Sequence, residues 1–165
     1  MESKAKIREA IKSDGEQIAL IYNHYLGKGT MDLEPKSGEY FYHLMDAENE
    51  REKLFVTVYE DIVVGYGLIK KYSDREGYRL AAETSIYYNK DHTGKGYGRL
   101  MQTLLLEEAA KLDYKHLVAK IWSSNAGSIQ FHESLGYTIV GRQHKIGYVN
   151  GEWQDVTIMQ YLVES

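Results

Sequence analysis

Residues 92–99, His-Thr-Gly-Lys-Gly-Tyr-Gly-Arg, place a glycine at every second position just before an amphipathic helical pattern. Glycine lets the backbone come close to a ligand and turn its N–H groups outward. The start of the helix adds free N–H donors and the positive end of the helix dipole. The loop therefore predicts a site for a phosphorylated ligand, and an ordinary strand-to-helix turn is the alternative.

Two familiar phosphate-binding motifs do not fit this loop. A Walker A loop requires Ser or Thr after its Gly-Lys pair, whereas Gly96 follows Lys95 here. The dinucleotide fingerprint requires Gly-x-Gly-x-x-Gly, but Gly94, Gly96 and Gly98 keep a period of two. The kind of ligand therefore has to be inferred from the residues around the loop.

The composition of the chain limits the functions that it can have. Its length of 165 residues suits one domain, 1–165, with a sizeable core. The net charge is −4 with acids and bases interspersed, so we expect neither nucleic acid nor a membrane surface as a partner. We also expect no membrane span and no secretory signal, because the apolar runs are too short for either.

Cysteine and histidine usage bears on metal binding and on the cellular compartment. The chain has no cysteine, which excludes disulfides, thiolate metal sites and a cysteine nucleophile and suits a reducing cytoplasm. The histidines do not have metal-ligand spacing, so we expect no metal. These histidines are His24, His43, His92, His116, His132 and His144.

Hydrophobic periodicity predicts an alternating series of strands and helices, typical of a mixed α/β domain. Strands are predicted at 6–10, 54–59, 62–69, 80–88, 116–122, 137–140 and 155–163. Ser13 and Glu16 have the spacing of a capping box, which predicts a helix from there. Further helices are predicted at 37–47, 96–112 and 125–135. The apolar stripe of the long helix after the glycine loop consists of Leu100, Leu104, Leu105 and Ala109.

The glycine loop and a later segment together resemble the Gcn5-related N-acetyltransferase (GNAT) superfamily. Residues 93–98 match the loop signature Gln/Arg-x-x-Gly-x-Gly/Ala. The second signature, in the next helix, consists of Asn125, Ser128, 131–133 and 135–137. The resemblance implies an α/β GNAT fold, with a mixed, mostly antiparallel sheet of about seven strands flanked by about four helices. It also implies acetyl-CoA as the co-substrate.

A narrower resemblance links the chain to the phosphinothricin and methionine sulfoximine acetyltransferases. The matching segments are 21–25, 83–87, the glycine loop, 132–137 and 147–156. The most distinctive is Gly-x-Trp-x-Asp-Val at 151–156. The resemblance implies transfer of acetyl to the α-amino group of a small amino acid or analogue, of the phosphinothricin, methionine sulfoximine or sulfone type.

The glycine loop departs from the superfamily at its first position. Thr93 stands where Gln or Arg is usual, which removes a side-chain contact to the pyrophosphate. The backbone donors remain, so we expect weaker binding of CoA rather than its loss. Lys95 and Arg99 are candidates to supply the missing interaction.

A second departure concerns the acceptor. Branch members often carry Trp and a basic residue in the loop before the Glu-bearing strand, and residues 72–73 are Tyr-Ser here. If that basic residue holds a substrate carboxylate, this chain has to use another group. Arg75 and Arg79 are the nearby candidates, with Tyr78 as a further substrate contact.

The reaction implied by the resemblance is direct transfer from the thioester to a primary amine. The amine has to attack in its neutral form, so a general base is useful near neutral pH. Glu83 occupies the branch position of that base, and an ordinary outward-facing glutamate is the alternative. His132 occupies the position of the proton donor to the thiolate, and a structural histidine is the alternative. No serine lies in a nucleophile-elbow pattern, which disfavours an acyl-enzyme.

The resemblance also assigns contacts to acetyl-CoA. A backbone N–H near Ile86 is expected to bind the oxyanion, and the backbone at Ile86 and Tyr88 to pair with pantetheine. Asn125 is expected to hydrogen-bond the pantetheine, with a helix N-cap as the alternative. The expected cofactor contacts are Ile86, Tyr87, Tyr88, Thr93, Gly94, Lys95, Gly96, Tyr97, Gly98, Arg99, Asn125 and Ser128.

Two other functions remain open. One is acetylation of peptide N-termini or other amines. The other is a non-catalytic module that binds acyl-CoA as a sensor, which Glu83 argues against and Thr93 argues for. The resemblance further implies a homodimer, in which residues 153–155 meet the site of the neighbouring copy.

Overall fold

The computed structural model describes residues 5–164, and seven of its strands form one sheet. The strands are β1 (Lys6–Glu9), β2 (Lys53–Tyr59), β3 (Ile62–Lys71), β4 (Ala81–Tyr88), β5 (His116–Trp122), β6 (Thr138–Val149) and β7 (Glu152–Leu162). The four helices are α1 (Gly15–His24), a 3-10 helix (Gly38–Met45), α2 (Tyr97–Lys111) and α3 (Ala126–Ser134). Short 3-10 turns lie at Lys12–Asp14, Glu76–Tyr78 and Lys90–His92. Within the described residues, none of the helices has the length and apolarity to cross a membrane.

The sheet has the order β1-β2-β3-β4-β5-β7-β6, and neighbouring strands are antiparallel except β4 and β5. These two pair in parallel only over Ala81–Glu83 and His116–Val118, although both strands continue beyond this stretch. A gap therefore separates β4 from β5 beyond Glu83. The seven-stranded, mostly antiparallel sheet with four helices confirms the predicted fold.

The two faces of the sheet pack against different helices, because alternate residues of a strand point to opposite faces. On the α1 face, Tyr66 packs with Phe41 of the 3-10 helix and with α1. On the α2 face, Ile69 and Leu117 pack with Leu105 of α2. Each such side chain, fully buried, stabilises the fold by roughly 1.5–3 kcal/mol.

The start of α1 differs from the predicted capping box of Ser13 and Glu16. Asp14 instead accepts a hydrogen bond from the Ile11 N–H at 2.9 Å and pairs with Arg8 at 2.7 Å. Glu16 accepts from the N–H of Gly38 at 3.1 Å and so links α1 to the 3-10 helix. The capping-box prediction is wrong because the carboxylate of Glu16 bonds a backbone amide that is distant in sequence.

The buried stripe of α2 is rotated from the predicted one. Leu105 and Ala109 are buried as predicted, but Leu100 is 62% exposed and Gln102 is fully buried. Gln102 can lie in the core because its Nε2 donates a hydrogen bond to the Tyr137 hydroxyl at 2.7 Å. A polar residue with a buried partner thus replaces an expected leucine in the core.

Strands β6 and β7 are longer than the predicted segments 137–140 and 155–163 and form one hairpin. Asn150 and Gly151 close it with φ values of 51° and 80°. An Asn-Gly pair with positive φ at both residues is the preferred two-residue hairpin turn. That pair was the sequence signal for the longer strands.

A bulge interrupts this hairpin, because the register between β6 and β7 shifts between Gln143 and Gly147. The N–H of Lys145 within the bulge donates to Asp155 of β7 at 2.8 Å. Chiefly through this bond, the pKa of Asp155 is lowered to about 2. The bulge brings Ile146 to the cavity described next.

Candidate active site

A cavity of about 1130 Å³ lies on the α1 face of the central strands. Its floor consists of alternate residues of three neighbouring strands, as expected where one face of a sheet lines a site. These are Tyr66, Leu68 and Lys70 of β3, Glu83, Ser85 and Tyr87 of β4, and His116, Val118, Lys120 and Trp122 of β5. The chain after α1, the 3-10 helix and the segment before β4 supply the walls. A small-molecule ligand fits in such a space.

Glu83 lies where β4 and β5 separate, and its side chain is 14% exposed. Its Oε2 is 3.9 Å from Lys70 Nζ and 3.5 Å from Lys120 Nζ. Lys70 is the direct partner of Glu83 in the β3–β4 register, and Lys120 lies two residues beyond its β5 partner Val118. The sequence singled out Glu83 but missed the two lysines. A charged residue within the apolar strand 116–122 was a signal for one of them.

Tyrosines line the cavity beyond Glu83. The ring centres of Tyr66 and Tyr87 are 5.6 Å apart, and those of Tyr22 and Tyr87 are 6.1 Å apart. Burial, with a contribution from Glu83, raises the pKa of Tyr87 to about 12. Tyr66 is fully buried, and within the described residues its hydroxyl has no hydrogen-bond partner. Because burial raises the pKa of both residues, the phenols of Tyr66 and Tyr87 are neutral at physiological pH.

The hydrogen bonds between β3 and β4 determine which backbone groups of β4 face the gap. At one end the N–H of Tyr72 donates to the carbonyl of Ala81, and at the other the N–H of Asn89 donates to the carbonyl of Val64. In an antiparallel ladder, alternate residue pairs exchange hydrogen bonds and the residues between them point the other way. The even-numbered residues of β4 therefore direct N–H and C=O away from β3.

Three residues of β4, Thr84, Ile86 and Tyr88, thus present their backbone groups to the gap. The carbonyl of Tyr88 accepts a hydrogen bond from the Tyr25 hydroxyl. Tyr87 is different, since its backbone pairs with β3 and its side chain lines the cavity. The structure therefore brings the backbone of Ile86 and Tyr88, but not that of Tyr87, to the gap.

The glycine loop precedes α2. Gly94 and Gly96 have φ values of 74° and 82°. A Cβ atom added to either residue would meet no atom within 4 Å. The left-handed backbone, and not tight packing, therefore requires glycine here, and the surface above the loop is open. Because α2 begins at Tyr97 and its first N–H groups have no partner within the helix, this surface fits a diphosphate.

The side chains of the loop have local partners. The Thr93 hydroxyl donates to the carbonyl of Lys90 at 3.0 Å and so closes the preceding turn. Lys95 is exposed, with Nζ 5.8 Å from the centre of the Tyr59 ring. Arg99 donates to the Ser134 hydroxyl at 2.7 Å, which holds its guanidinium beside α3.

The first turn of α2 touches β4 beside the gap. The carbonyl of Tyr97 accepts a hydrogen bond from the Tyr88 hydroxyl at 3.2 Å. A Cβ atom on Gly98 would lie 3.6 Å from the end of the Ile86 side chain. The gap therefore leads from the open loop on the α2 face to the cavity on the α1 face.

Asn125 caps the N-terminus of α3. Its side-chain oxygen accepts a hydrogen bond from the N–H of Ser128 at 3.1 Å, which confirms the N-cap interpretation. This bond uses the oxygen alone, so the amide nitrogen can still donate to a ligand. Ser128 itself is half-buried.

His132 is buried in α3, at 6% exposure. Its Nδ1 lies 2.8 Å from the carbonyl oxygen of Ser128 and donates to it, which leaves Nε2 as an acceptor in the neutral ring. Burial lowers the pKa of His132, so the ring is neutral at physiological pH. Across residues 5–164, no group of three or more His, Cys, Asp or Glu side chains is placed to hold a metal ion.

Of the predicted substrate contacts, the structure brings one to the cavity. Tyr78 lines it, with its ring centre 5.2 Å from that of Tyr72. Arg75 and Arg79 are exposed and do not belong to the lining. The Arg79 guanidinium lies 3.5 Å from the carbonyl of Glu76.

A buried polar network beside the gap was not predicted. The Tyr137 hydroxyl lies 2.8 Å from the Thr84 hydroxyl and 2.7 Å from Gln102 Nε2. All three residues are nearly inaccessible to solvent. The network joins β4 to α2 and to the start of β6, and it holds β4 at the point where its partner strand departs. A glutamine within the helical pattern of 96–112 was the sequence signal.

The fold and these residues identify the protein family. A family model described as an acetyltransferase (GNAT) domain matches residues 7–158. The chain belongs to the GNAT acetyltransferase family.

Its relatives lie in the branch that the sequence predicted. The chain is 33% identical to an L-methionine sulfoximine/L-methionine sulfone acetyltransferase of Salmonella typhimurium, over 93% of this chain and 92% of the relative. It is 29% identical to a phosphinothricin N-acetyltransferase of Streptomyces viridochromogenes, over 94% and 86%. A solved Salmonella typhimurium acetyltransferase with its cofactor acetyl-CoA superposes with a TM-score of 0.93 at 30% identity, covering 99% of this chain and 96% of that one.

Proposed function

We propose that this protein transfers the acetyl group of acetyl-CoA directly to the α-amino group of a small amino acid or analogue, of the phosphinothricin, methionine sulfoximine or methionine sulfone type. One observation supports this above all. The carboxylate of Glu83 lies in the cavity at the point where β4 separates from β5, and the gap beyond it leads to the open glycine loop. The gap thus connects the proposed phosphate site to the acceptor cavity, and the proposed base lies where the two join.

The co-substrate would be held mostly by backbone. The N–H groups of residues 94–99 and the positive end of α2 would bind the pyrophosphate, with Lys95 and Arg99 adding charge. The pantetheine would lie in the gap, paired with the backbone of Thr84, Ile86 and Tyr88 as an added strand would be. The amide nitrogen of Asn125 would donate to it from the start of α3, beside Ser128.

In the proposed mechanism Glu83 takes a proton from the ammonium group of the acceptor. The neutral amine then attacks the thioester carbonyl, and the Ile86 N–H donates to the oxyanion that forms. A donor held in place for such an oxyanion is worth about 3 kcal/mol in other enzymes. Collapse of the intermediate breaks the C–S bond, and the second proton of the attacking nitrogen passes to the departing sulfur, so that the amide and the thiol of CoA are released.

The role of His132 as the donor of a proton to this thiolate stays a prediction, and the geometry favours a packing role. To donate from Nε2 the ring has to carry both protons, and burial lowers its pKa. The ring contacts the Ser128 carbonyl, and its centre lies 4.9 Å from the centre of the Tyr137 ring. These contacts favour a role in holding α3 in position.

A homodimer is part of this proposal. Six apolar side chains of the β6–β7 hairpin are more than half exposed, and β6 is an edge strand of the sheet. These side chains are Ile139, Val140, Ile146, Tyr148, Trp153 and Leu162. Because Val140 and Ile146 also line the cavity, a second copy on this hairpin would cover its open side.

We also propose that residues 1–165 form one domain that works in the cytoplasm. The family model spans 7–158, and all seven strands belong to one sheet. The lack of cysteine suits a reducing compartment. Fractionation of cells that express the tagged protein tests the location.

Release of CoA thiol, measured with a panel of acceptors, tests the proposed activity. We expect turnover with phosphinothricin, methionine sulfoximine, methionine sulfone or ordinary amino acids. Turnover with peptides alone would show an acetyltransferase of N-termini. Binding of acetyl-CoA without turnover on any amine would show a sensor module.

A further inference from the structure

Three charged side chains on the cavity floor form a cluster that the mechanism above uses only in part. Lys70, Glu83 and Lys120 come from adjacent strands and all line the cavity. The lysine side chains are 50% and 49% exposed, against 14% for Glu83. Both ammonium groups are therefore within reach of a ligand that binds over Glu83.

This cluster has more positive than negative charge. Each ammonium group offers three donors. The distances from Nζ to Glu83 Oε2, 3.5 and 3.9 Å, are longer than those of a direct hydrogen bond, about 2.7–3.2 Å. Glu83 therefore does not satisfy the hydrogen-bond donors of either lysine, and an anionic group can bind between the two ammonium groups.

We infer that Lys70 and Lys120 bind the carboxylate of the acceptor while Glu83 binds its ammonium group. In an α-amino acid a single carbon separates the ammonium group from the carboxylate. Two groups so close together can contact side chains of neighbouring strands, because such strands lie about 4.8 Å apart. The inference rests on the proposed function and narrows it. The favoured acceptors are free α-amino acids, and amino-acid amides, esters and simple amines are disfavoured because they lack the carboxylate.

Other cations near the cavity are less suited to this role. Arg75 and Arg79, expected from the sequence to hold the carboxylate, are outside the cavity lining. Lys115 lines the cavity, but it precedes Lys120 by five residues, roughly 16 Å along an extended chain. Lys70 and Lys120 are the cations that the strand register places beside Glu83.

The competing interpretation is that the lysines serve only to neutralise Glu83. In that case their loss would change the reaction equally for every acceptor. A comparison of an amino acid with its own amide separates the two interpretations, because the reacting amine is kept and only the carboxylate is removed.

The experiment measures kcat/KM by thiol release for L-methionine sulfone and for its amide. The variants are Lys70→Met and Lys120→Met, which remove the charge and keep most of the length of the side chain. Lys71→Met is the matched control, since Lys71 is the next residue of β3, lies 3.7 Å from Asp74 and is outside the cavity lining. Lys120→Arg tests whether the charge alone restores activity.

We expect the wild type to prefer the free acid. Each Lys→Met change should lower kcat/KM for the acid by about 10- to 100-fold, mainly through KM, and lower kcat/KM for the amide far less. Lys71→Met should match the wild type, and Lys120→Arg should recover most of the loss. Equal losses for acid and amide, or no wild-type preference for the acid, would overturn the inference while leaving the acetyltransferase activity standing. No turnover with any amine would instead refute the proposed function itself.

Discussion

At the residue scale, the proposed chemistry depends on one carboxylate. Asp32 and Glu83 are the acidic side chains of the cavity lining. Asp32 already accepts a hydrogen bond from the Tyr22 hydroxyl, whereas Glu83 faces two exposed ammonium groups. Of these two carboxylates, Glu83 is therefore the one that is available to bind a reacting amine.

Replacement of Glu83 by Gln keeps the shape of the side chain and removes the base. We expect kcat/KM to fall by about 10²–10⁴-fold at neutral pH, the usual contribution of a general base. Binding of acetyl-CoA, measured by calorimetry, should stay as in the wild type because the loop and the gap are unchanged. Activity equal to that of the wild type from about pH 6 to pH 9 would exclude Glu83 as the base.

His132 should make stability depend on pH. Its pKa is lowered in the folded state, so the unfolded chain binds the proton more readily below about pH 6.5. Stability is then fully present above that pH and falls as the pH drops towards the folded pKa. We expect urea unfolding to show a smaller loss on acidification for His132→Gln than for the wild type. An identical pH dependence in both proteins would contradict the buried, neutral ring.

At the element scale, the starting turn of α2 carries the proposed phosphate site. Its loop has two left-handed glycines with open space above them, and the helix supplies donors behind it. The loop and the bounds of β5, at 116–122, could be predicted from local sequence. Local sequence could not show whether the predicted capping box forms, because a backbone amide of the 3-10 helix competes for the carboxylate of Glu16.

A side chain at Gly96 should damage the phosphate site. Gly96→Val forces a β-branched residue to φ of 82°, so the loop has to change shape. We expect a rise in KM for acetyl-CoA of about 10-fold or more, with a smaller effect on KM for the amine. The matched control is Gly141→Val, since Gly141 also has open space but is not among the positive-φ residues. An unchanged KM for acetyl-CoA would mean that the loop is only a turn.

At the scale of the whole molecule, strand order assembles the site. Lys70, Glu83 and Lys120 meet because β3, β4 and β5 are neighbours in a fixed register. Local sequence patterns predicted each of these strands but carried no information on the register between them. For this reason the sequence predicted Glu83 through its family motif and missed the two lysines.

The exposed β6–β7 hairpin predicts the oligomeric state. We expect sedimentation velocity to give twice the mass of one chain. Trp153→Ser should weaken the dimer by about 30-fold or more, since an exposed tryptophan in an interface is a typical hot spot. Leu20→Ser is the control, because Leu20 is 73% exposed and belongs to α1 and not to the hairpin. A wild-type monomer at all concentrations would refute the homodimer.

The most direct test of the whole account is a crystal structure of the protein with coenzyme A. We predict the diphosphate on the N–H groups of residues 94–99 and the pantetheine in the gap along Thr84–Tyr88, with its sulfur close to Glu83. A nucleotide bound elsewhere, with both the loop and the gap empty, would contradict it.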